Sequence, residues 1–167
     1  KRKNLERLFI AFDRFKKEDQ KNTKFVVVGS LSCFEGDIEL TYSNMEYKEE
    51  VIFLGRKEIE ELILITGAAE AMLYVSLYEG FGIPILEGFH AEIPVITSKT
   101  TSMPEIAGNA ALLVDPYSID EITQSLVDIS TNPTLKSELI QKGKQRKTDF
   151  SWDLTAELLW QTIEKEL

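Results

Sequence analysis

Leu5, Leu8, Phe9, Phe12 and Phe15 recur at three- and four-residue spacing, which gathers them on one side of a helix and leaves Arg7, Arg14, Lys16 and Lys17 on the others. The stretch 24–29, KFVVVG, follows it. A short β-branched run closed by a glycine is expected of a strand buried on both faces of a parallel sheet. The same alternation then repeats: strands are predicted at 51–54, 72–77, 94–97 and 111–114, and helices at about 57–66, 84–91, 103–107, 118–130, 133–148 and 152–166. Strands that alternate with helices need right-handed crossovers, so the pattern predicts an α/β fold, a parallel sheet with helices on both faces. Residues 30–50 have no clean period and predict no element.

Boundary chemistry agrees with the periodicity. Ser102-Met103-Pro104-Glu105 and Ser118-Ile119-Asp120-Glu121 have capping-box spacing, in which serine and glutamate satisfy each other's orphan backbone N–H groups. Asn132-Pro133 reads as an N-cap followed by a first-turn proline. No low-complexity linker or internal repeat divides residues 1–167, so one domain is expected.

Composition narrows the function classes. The 167 residues carry a formal charge of −9, which repels nucleic acid on average and argues against a polyanion-binding role. Residues 1–25 run the other way, with nine basic and four acidic side chains; such an edge suits a phosphate or, more commonly, a solvated helix face. The sequence has no apolar run of membrane-spanning length, and KRKNLERLFI is followed by charges rather than a cleavage site, so neither a span nor a signal peptide is predicted. The single cysteine, Cys33, excludes a disulfide scaffold and a cysteine zinc site; it reads as a small buried residue and is compatible with a reducing cytoplasm.

Candidate chemistry is concentrated at Tyr78-Glu79-Gly80-Phe81-Gly82-Ile83-Pro84-Ile85-Leu86-Glu87, where an apolar strand runs into a glycine pair and then a helix opened by proline. Gly80 and Gly82 let the backbone turn sharply, and Pro84 at the first helical position gives up an N–H that the helix would not use. The free N–H groups of that turn and the positive end of the helix dipole make an anion site, with phosphate as the natural occupant. A dinucleotide fingerprint would need a small residue where Ile85 stands, and a P-loop would need Gly-Lys-Ser/Thr; both fail. Glu79 at the strand end and Glu87 in the first helical turn put carboxylates at either side, where vicinal hydroxyls of a hexose and a ribose would be gripped. For Glu87, dipole complementarity is the plain alternative.

These residues resemble the donor-binding domain of retaining glycosyltransferases of the GT-B class, family 4. That family carries E-G-F-G-x-P-x-x-E, and Glu79 to Glu87 reproduces it. Pro94-Val95-Ile96, the run from Ser102 to Pro116, and Phe150-Ser151-Trp152 are similar to its downstream signature, while Lys3-Asn4 and Phe25 to Gly29 are similar to its first helix and second strand. The resemblance implies a Rossmann-like domain that takes a UDP- or GDP-sugar and passes a hexose to a glycan or lipid acceptor, without a metal or other cofactor. It also implies a cytoplasmic enzyme with peripheral membrane contact. Lys3 would neutralise phosphate; Glu79, with the backbone of Gly80, Phe81, Gly82 and Ile83, would hold the donor sugar; Glu87 would bind the ribose; and Gly55-Arg56-Lys57 would border the base, although a solvated turn is the plainer reading of that segment.

The chain departs from the family pattern in three ways. The family's arginine six residues before the lysine, and its first strand, would precede residue 1, so a fragment is expected. An N-terminal acceptor domain would likewise be missing, and an isolated half should bind donor weakly. Glu92 stands where the family has a helix-ending glycine, so the helix is expected to end differently if that position demands a left-handed backbone. A non-catalytic nucleotide-sugar-binding module and a nucleotide-sugar epimerase are the alternatives. His90 reads as a packing or partly exposed residue, Tyr74, Phe89, Trp152 and Trp160 as core or helix-packing residues, and Leu154, Leu158 and Leu159 as a face turned toward another domain.

Overall fold

The computed structural model describes residues 2–30 and 34–165; Cys33 lies outside them. In chain order the elements are α1 Leu5–Lys16, β1 Phe25–Val28, α2 Asp37–Ser43, β2 Val51–Gly55, α3 Ile59–Gly67, β3 Met72–Tyr74, α4 Ile83–His90, β4 Val95–Ser98, α5 Met103–Ala107, β5 Leu112–Val114, α6 Ile119–Thr131, α7 Pro133–Arg146 and α8 Trp152–Glu164. Each predicted strand and helix is present within a few residues of its expected bounds. Helix α2 is the addition. It buries only Ile38, so it leaves no periodic apolar stripe in the sequence.

All strand pairs are parallel, as the alternation requires. Among the described residues, however, the ladders form two sheets, β1-β2 and β3-β4-β5, rather than one. Packing joins what backbone hydrogen bonds do not. Phe25 of β1 touches both the core beneath β1-β2 and the one beneath β3-β4-β5. β4 is buried along its whole length. Its Ile96 packs with Leu8 and Ala11 of α1 and Ile122 of α6, while Val95 faces Phe89 of α4 and Met103 of α5. Successive side chains of a strand point to opposite faces, so β4 carries a helix layer on either side. A methyl group on Gly88 would come within 2.6 Å of Val95 Cγ2, which shows how closely α4 approaches the sheet and therefore where its N-terminus is held. The β1-β2 side is filled by edge-to-face rings, Phe9 against Phe53 and Phe34 against Tyr42.

Caps follow the sequence in part. The Asn132 side chain accepts from Leu135 N at 3.0 Å, and Ser118 Oγ accepts from Glu121 N at 3.2 Å. The Glu121 carboxylate does not close the box: it accepts from Asp115 N and pairs with Lys99. Helix α8 buries none of its residues. Trp152 is 83% exposed and Trp160 58%, so the packing expected of these two indoles is not found, because the helix does not lie on the body. Phe89 is buried as expected, at 1%, and His90 is exposed.

The end of α4 corrects another expectation. Glu92 adopts φ +57°, Ile93 N donates to Gly88 O and Glu92 N to Phe89 O, which is the Schellman pattern that glycine normally serves. The helix thus ends as it would with glycine, and the glutamate bears the steric strain while pairing with Lys144 at 2.7 Å. An exposed pair of this kind offsets little of that strain. Glu92→Gly is therefore expected to raise the thermal midpoint by roughly 2 °C, measured by differential scanning calorimetry; an unchanged or lowered midpoint would contradict the strain argument.

Candidate functional site

The turn between β3 and α4 is shaped by one glycine more than the other. Gly82 is the N-cap of α4 at φ +114°, a backbone that strains any side chain, and a methyl group there would lie 3.1 Å from Ile85 Cδ1, which would have to give way slightly. Gly80 needs no left-handed backbone, and its missing side chain would meet nothing within 4 Å. Its bareness serves the space above the turn instead. Helix α4 begins at Ile83, which puts Pro84 in the second helical position and Glu87 beyond the first turn. That corrects the sequence reading of both residues, and it removes dipole complementarity as an account of Glu87, because the effect fades within one turn. The backbone N–H groups of Gly80, Phe81, Gly82 and Ile83 donate to no described residue, while Ile85 N closes onto Gly82 O at 2.9 Å. Four unused donors next to a helix N-terminus suit an anion.

Ser102 fastens this turn rather than capping its own helix. Its hydroxyl lies 3.0 Å from Glu79 O and 2.8 Å from Phe81 O, and it makes no side-chain cap bond to α5. The hydroxyl is thus turned toward the carbonyls across the turn, and this capping box does not form. Phe81 is 45% exposed and stands edge-on to Phe150, with centroids 6.0 Å apart.

Glu79 and Lys3, seventy-six positions apart, meet at this turn. Lys3 Nζ donates to Glu79 Oε1 at 2.8 Å, and Arg2 pairs with the other carboxylate oxygen. The Glu79 side chain is 11% exposed, against 49% for Lys3 and 55% for Arg2. Burial alone would raise the Glu79 pKa. The Lys3 ammonium bonded to it, with the Ser76 and Tyr74 hydroxyls nearby favouring the charged form, outweighs burial and holds Glu79 at about 2. Asn4 explains why Lys3 is there. Buried at 3%, it has φ +61° and its amide donates to Val75 O and Pro116 O, while Leu77 N donates to Arg2 O. These bonds stitch the start of α1 to the end of β3.

Glu87 faces elsewhere. It lines an apolar groove of about 360 Å³ between α3 and α4, with Ile59, Leu62, Ile63, Thr66 and His90. Glu79 is not among the lining residues, so the two carboxylates flank the turn without sharing this hollow. Arg56 is exposed, and Lys57, just before α3, pairs with Glu61 at 2.9 Å. The structure therefore puts both near the mouth of the Glu87 groove in sequence but gives them no contact with Glu79 or the turn. Ile83 is 55% exposed beside the free N–H groups. Sequence reasoning missed Ser102, Asn4 and Tyr74 as site residues; only the αL-prone asparagine immediately after Lys3 carried a local signal.

A parallel α/β body with a glycine turn at the carboxyl rim, and an ion-paired glutamate just before that turn, belongs to the GT-B architecture of glycosyltransferases. Superposition agrees: a glycosyltransferase from Rickettsia africae matches with a TM-score of 0.86 over 99% of this chain and 45% of that one, at 18% identity. Sucrose-phosphate synthase from Thermosynechococcus elongatus matches at 0.83 over 99% and 43%, at 22% identity. Residues 1–146 match the family "Glycosyl transferases group 1", and the chain belongs to it. Among curated relatives, O-antigen chain mannosyltransferase B of Escherichia coli is 30% identical over 91% of this chain and 40% of its own length. An MMP alpha-(1->4)-mannosyltransferase of Mycolicibacterium hassiacum is 34% identical over 58% of this chain and 25% of its own. The chain thus spans well under half the length of the curated relatives it matches.

Two outcomes follow from this geometry. Gly82→Ala is expected to lower the thermal midpoint by several degrees, corresponding to about 1–2 kcal/mol, whereas Gly80→Ala should leave it unchanged; equal effects would refute the division between them. Asp19, like Glu79, is held at about 2: burial would raise it, but bonds from Lys16, the backbone N–H groups of Lys21 and Thr23, and the Thr23 hydroxyl prevail. Carboxyls with depressed folded pKa values contribute stability that is complete above their ordinary values, 3.8 for Asp19 and 4.5 for Glu79, and lost as pH falls toward 2. Asp19→Asn should accordingly flatten the fall in denaturation midpoint between about pH 4.5 and 2; an unaltered acid slope would count against the pairing.

Proposed function

We propose that this domain binds the nucleotide-sugar donor of a retaining hexosyltransferase, and that the donor is mannose activated by GDP. The observation that carries the reading is the Lys3–Glu79 pair set beside four unused backbone N–H groups at the start of α4. A donor sugar nucleotide has the matching parts, a diphosphate between two polyols. The free N–H groups and Lys3 take the diphosphate. Glu79 takes sugar hydroxyls, and Glu87, at the apolar groove, takes the ribose diol while the base lies against the α3 side of that groove.

As the bond from anomeric carbon to phosphate oxygen breaks, negative charge grows on the departing β-phosphate. Preorganised donors at the helix start and the Lys3 ammonium stabilise that charge without having to reorganise. Glu79 orients the sugar. For this, Lys3 must exchange its bond to Glu79 for one to phosphate, a move its exposed side chain permits. The mannosyl preference over a UDP-hexose is supported by the names of the relatives. We further propose that the acceptor, a glycan or lipid, is bound by a separate N-terminal domain of the full-length protein, working at the cytoplasmic face of a membrane. No helix among the described residues is long and apolar enough to cross one.

The test is substitution in the full-length protein, with transfer assays and calorimetric titration of GDP-mannose and UDP-glucose. Glu79→Ala is expected to lower kcat by about a hundredfold or more, and Glu87→Ala to weaken donor binding about tenfold with a smaller effect on kcat. Near-normal transfer and affinity in both variants would refute the assignment. Donor binding without any transfer would favour a non-catalytic module, and tighter binding of UDP-glucose would overturn the choice of base.

A further inference from the structure

Tyr74 is the last residue of β3 and is held more firmly than the charged groups around it. Its ring packs against the buried cluster of Ile85, Phe89 and Met103, and its carbonyl accepts from Thr97 Oγ1 of the neighbouring strand at 2.8 Å. The hydroxyl accepts from Lys3 Nζ at 3.0 Å, and the same ammonium lies 4.5 Å from the ring centroid. The same ammonium donates to Glu79 Oε1 at 2.8 Å, so phenol and carboxylate are linked through Lys3, and the nearby phenol favours the ionised carboxylate. Burial, the largest influence on the phenol, pushes its pKa up, and Glu79 adds to that against the opposing effect of Lys3, so the proton stays in place at neutral pH.

We propose that Tyr74 is a positioning residue of the donor site: its phenol and ring hold the Lys3 ammonium beside the Glu79 carboxylate, so that the cation meets the donor's diphosphate while the anion meets its sugar. The inference rests on the reading of this turn as the donor site. It goes beyond that reading by assigning the alignment of the two charges to a neutral group anchored in the sheet. When Lys3 leaves Glu79 for phosphate, the ring face and the phenol oxygen continue to attract the ammonium. Without the hydroxyl, Lys3 keeps its charge but loses the anchor that sets it beside Glu79.

The experiment uses the full-length protein and Tyr74→Phe, which keeps the ring and its packing. With GDP-mannose as donor, kcat is expected to fall about tenfold while the affinity for GDP alone changes less than about threefold. The loss should disappear in a Lys3→Met background, because a positioning effect acts through the group it positions. Tyr74→Leu, which removes the ring as well, should weaken GDP binding further. Independently of any donor, the lysine side-chain amine resonances of nitrogen-15-labelled protein should show a slowly exchanging Lys3 ammonium that vanishes in Tyr74→Phe. Full activity in Tyr74→Phe, an additive loss in the Lys3→Met background, or an unaltered Lys3 resonance would overturn the proposal. Absence of GDP-mannose and UDP-glucose binding in the unsubstituted protein would instead defeat the donor-site reading, leaving the resonance to decide whether Tyr74 holds Lys3.

Discussion

The bond between Lys3 and Glu79 joins the start of the first helix to the end of the third strand, and the rest of the site is arranged around it. Glu79 is largely withdrawn from water, and a carboxylate so placed stays charged only because ammonium, hydroxyl and phenol groups face it. Their convergence depends on Asn4, which ties the first turn of α1 to the carbonyls of Val75 and Pro116, and on the sheet, which presents the strand end as a rigid rim. Without that tie Lys3 would be one more solvated lysine near a chain terminus.

The turn above combines stiffness with unsatisfied valence. Gly82, Ser102 and the close seat of α4 on β4 hold the backbone in one shape, yet four successive N–H groups face outward with no described partner. Leaving donors unused costs little where water reaches them, and a preformed array then binds an anion without first having to order itself. The charged side chains are the softer part: Arg2 and Lys3 are about half exposed.

The chain also carries surface that its own body does not cover. Helix α8 holds Trp152, Leu158, Leu159 and Trp160 in solvent, and the ladder is divided between β1-β2 and β3-β4-β5. Both features fit a domain whose relatives are more than twice its length, in which apolar surface of this extent normally meets other protein.

Much of this was determined by the sequence alone. The period of α1, the β-branched runs of the strands and the glycine-proline turn are local signals, since each reflects how a short stretch of backbone and side chains partitions between core and water. They sufficed for the α/β parallel fold, and the spacing from Glu79 to Glu87 sufficed for the turn. Helix α2, the division of the sheet and the exposure of the two α8 indoles were not legible, because they depend on what packs against an element rather than on the element's own pattern. The same holds within the site. Lys3 was placed by resemblance, but its bond to Glu79, the diversion of Ser102 from cap to staple, and the meeting of Tyr74 with Lys3 arise between residues more than twenty positions apart, where only the folded chain brings hydrogen-bonding groups within about 3 Å of one another. Gly82 marks the boundary between the two kinds of information: its sequence position announced a turn, while the folded backbone, at φ +114°, decided that a side chain there is strained.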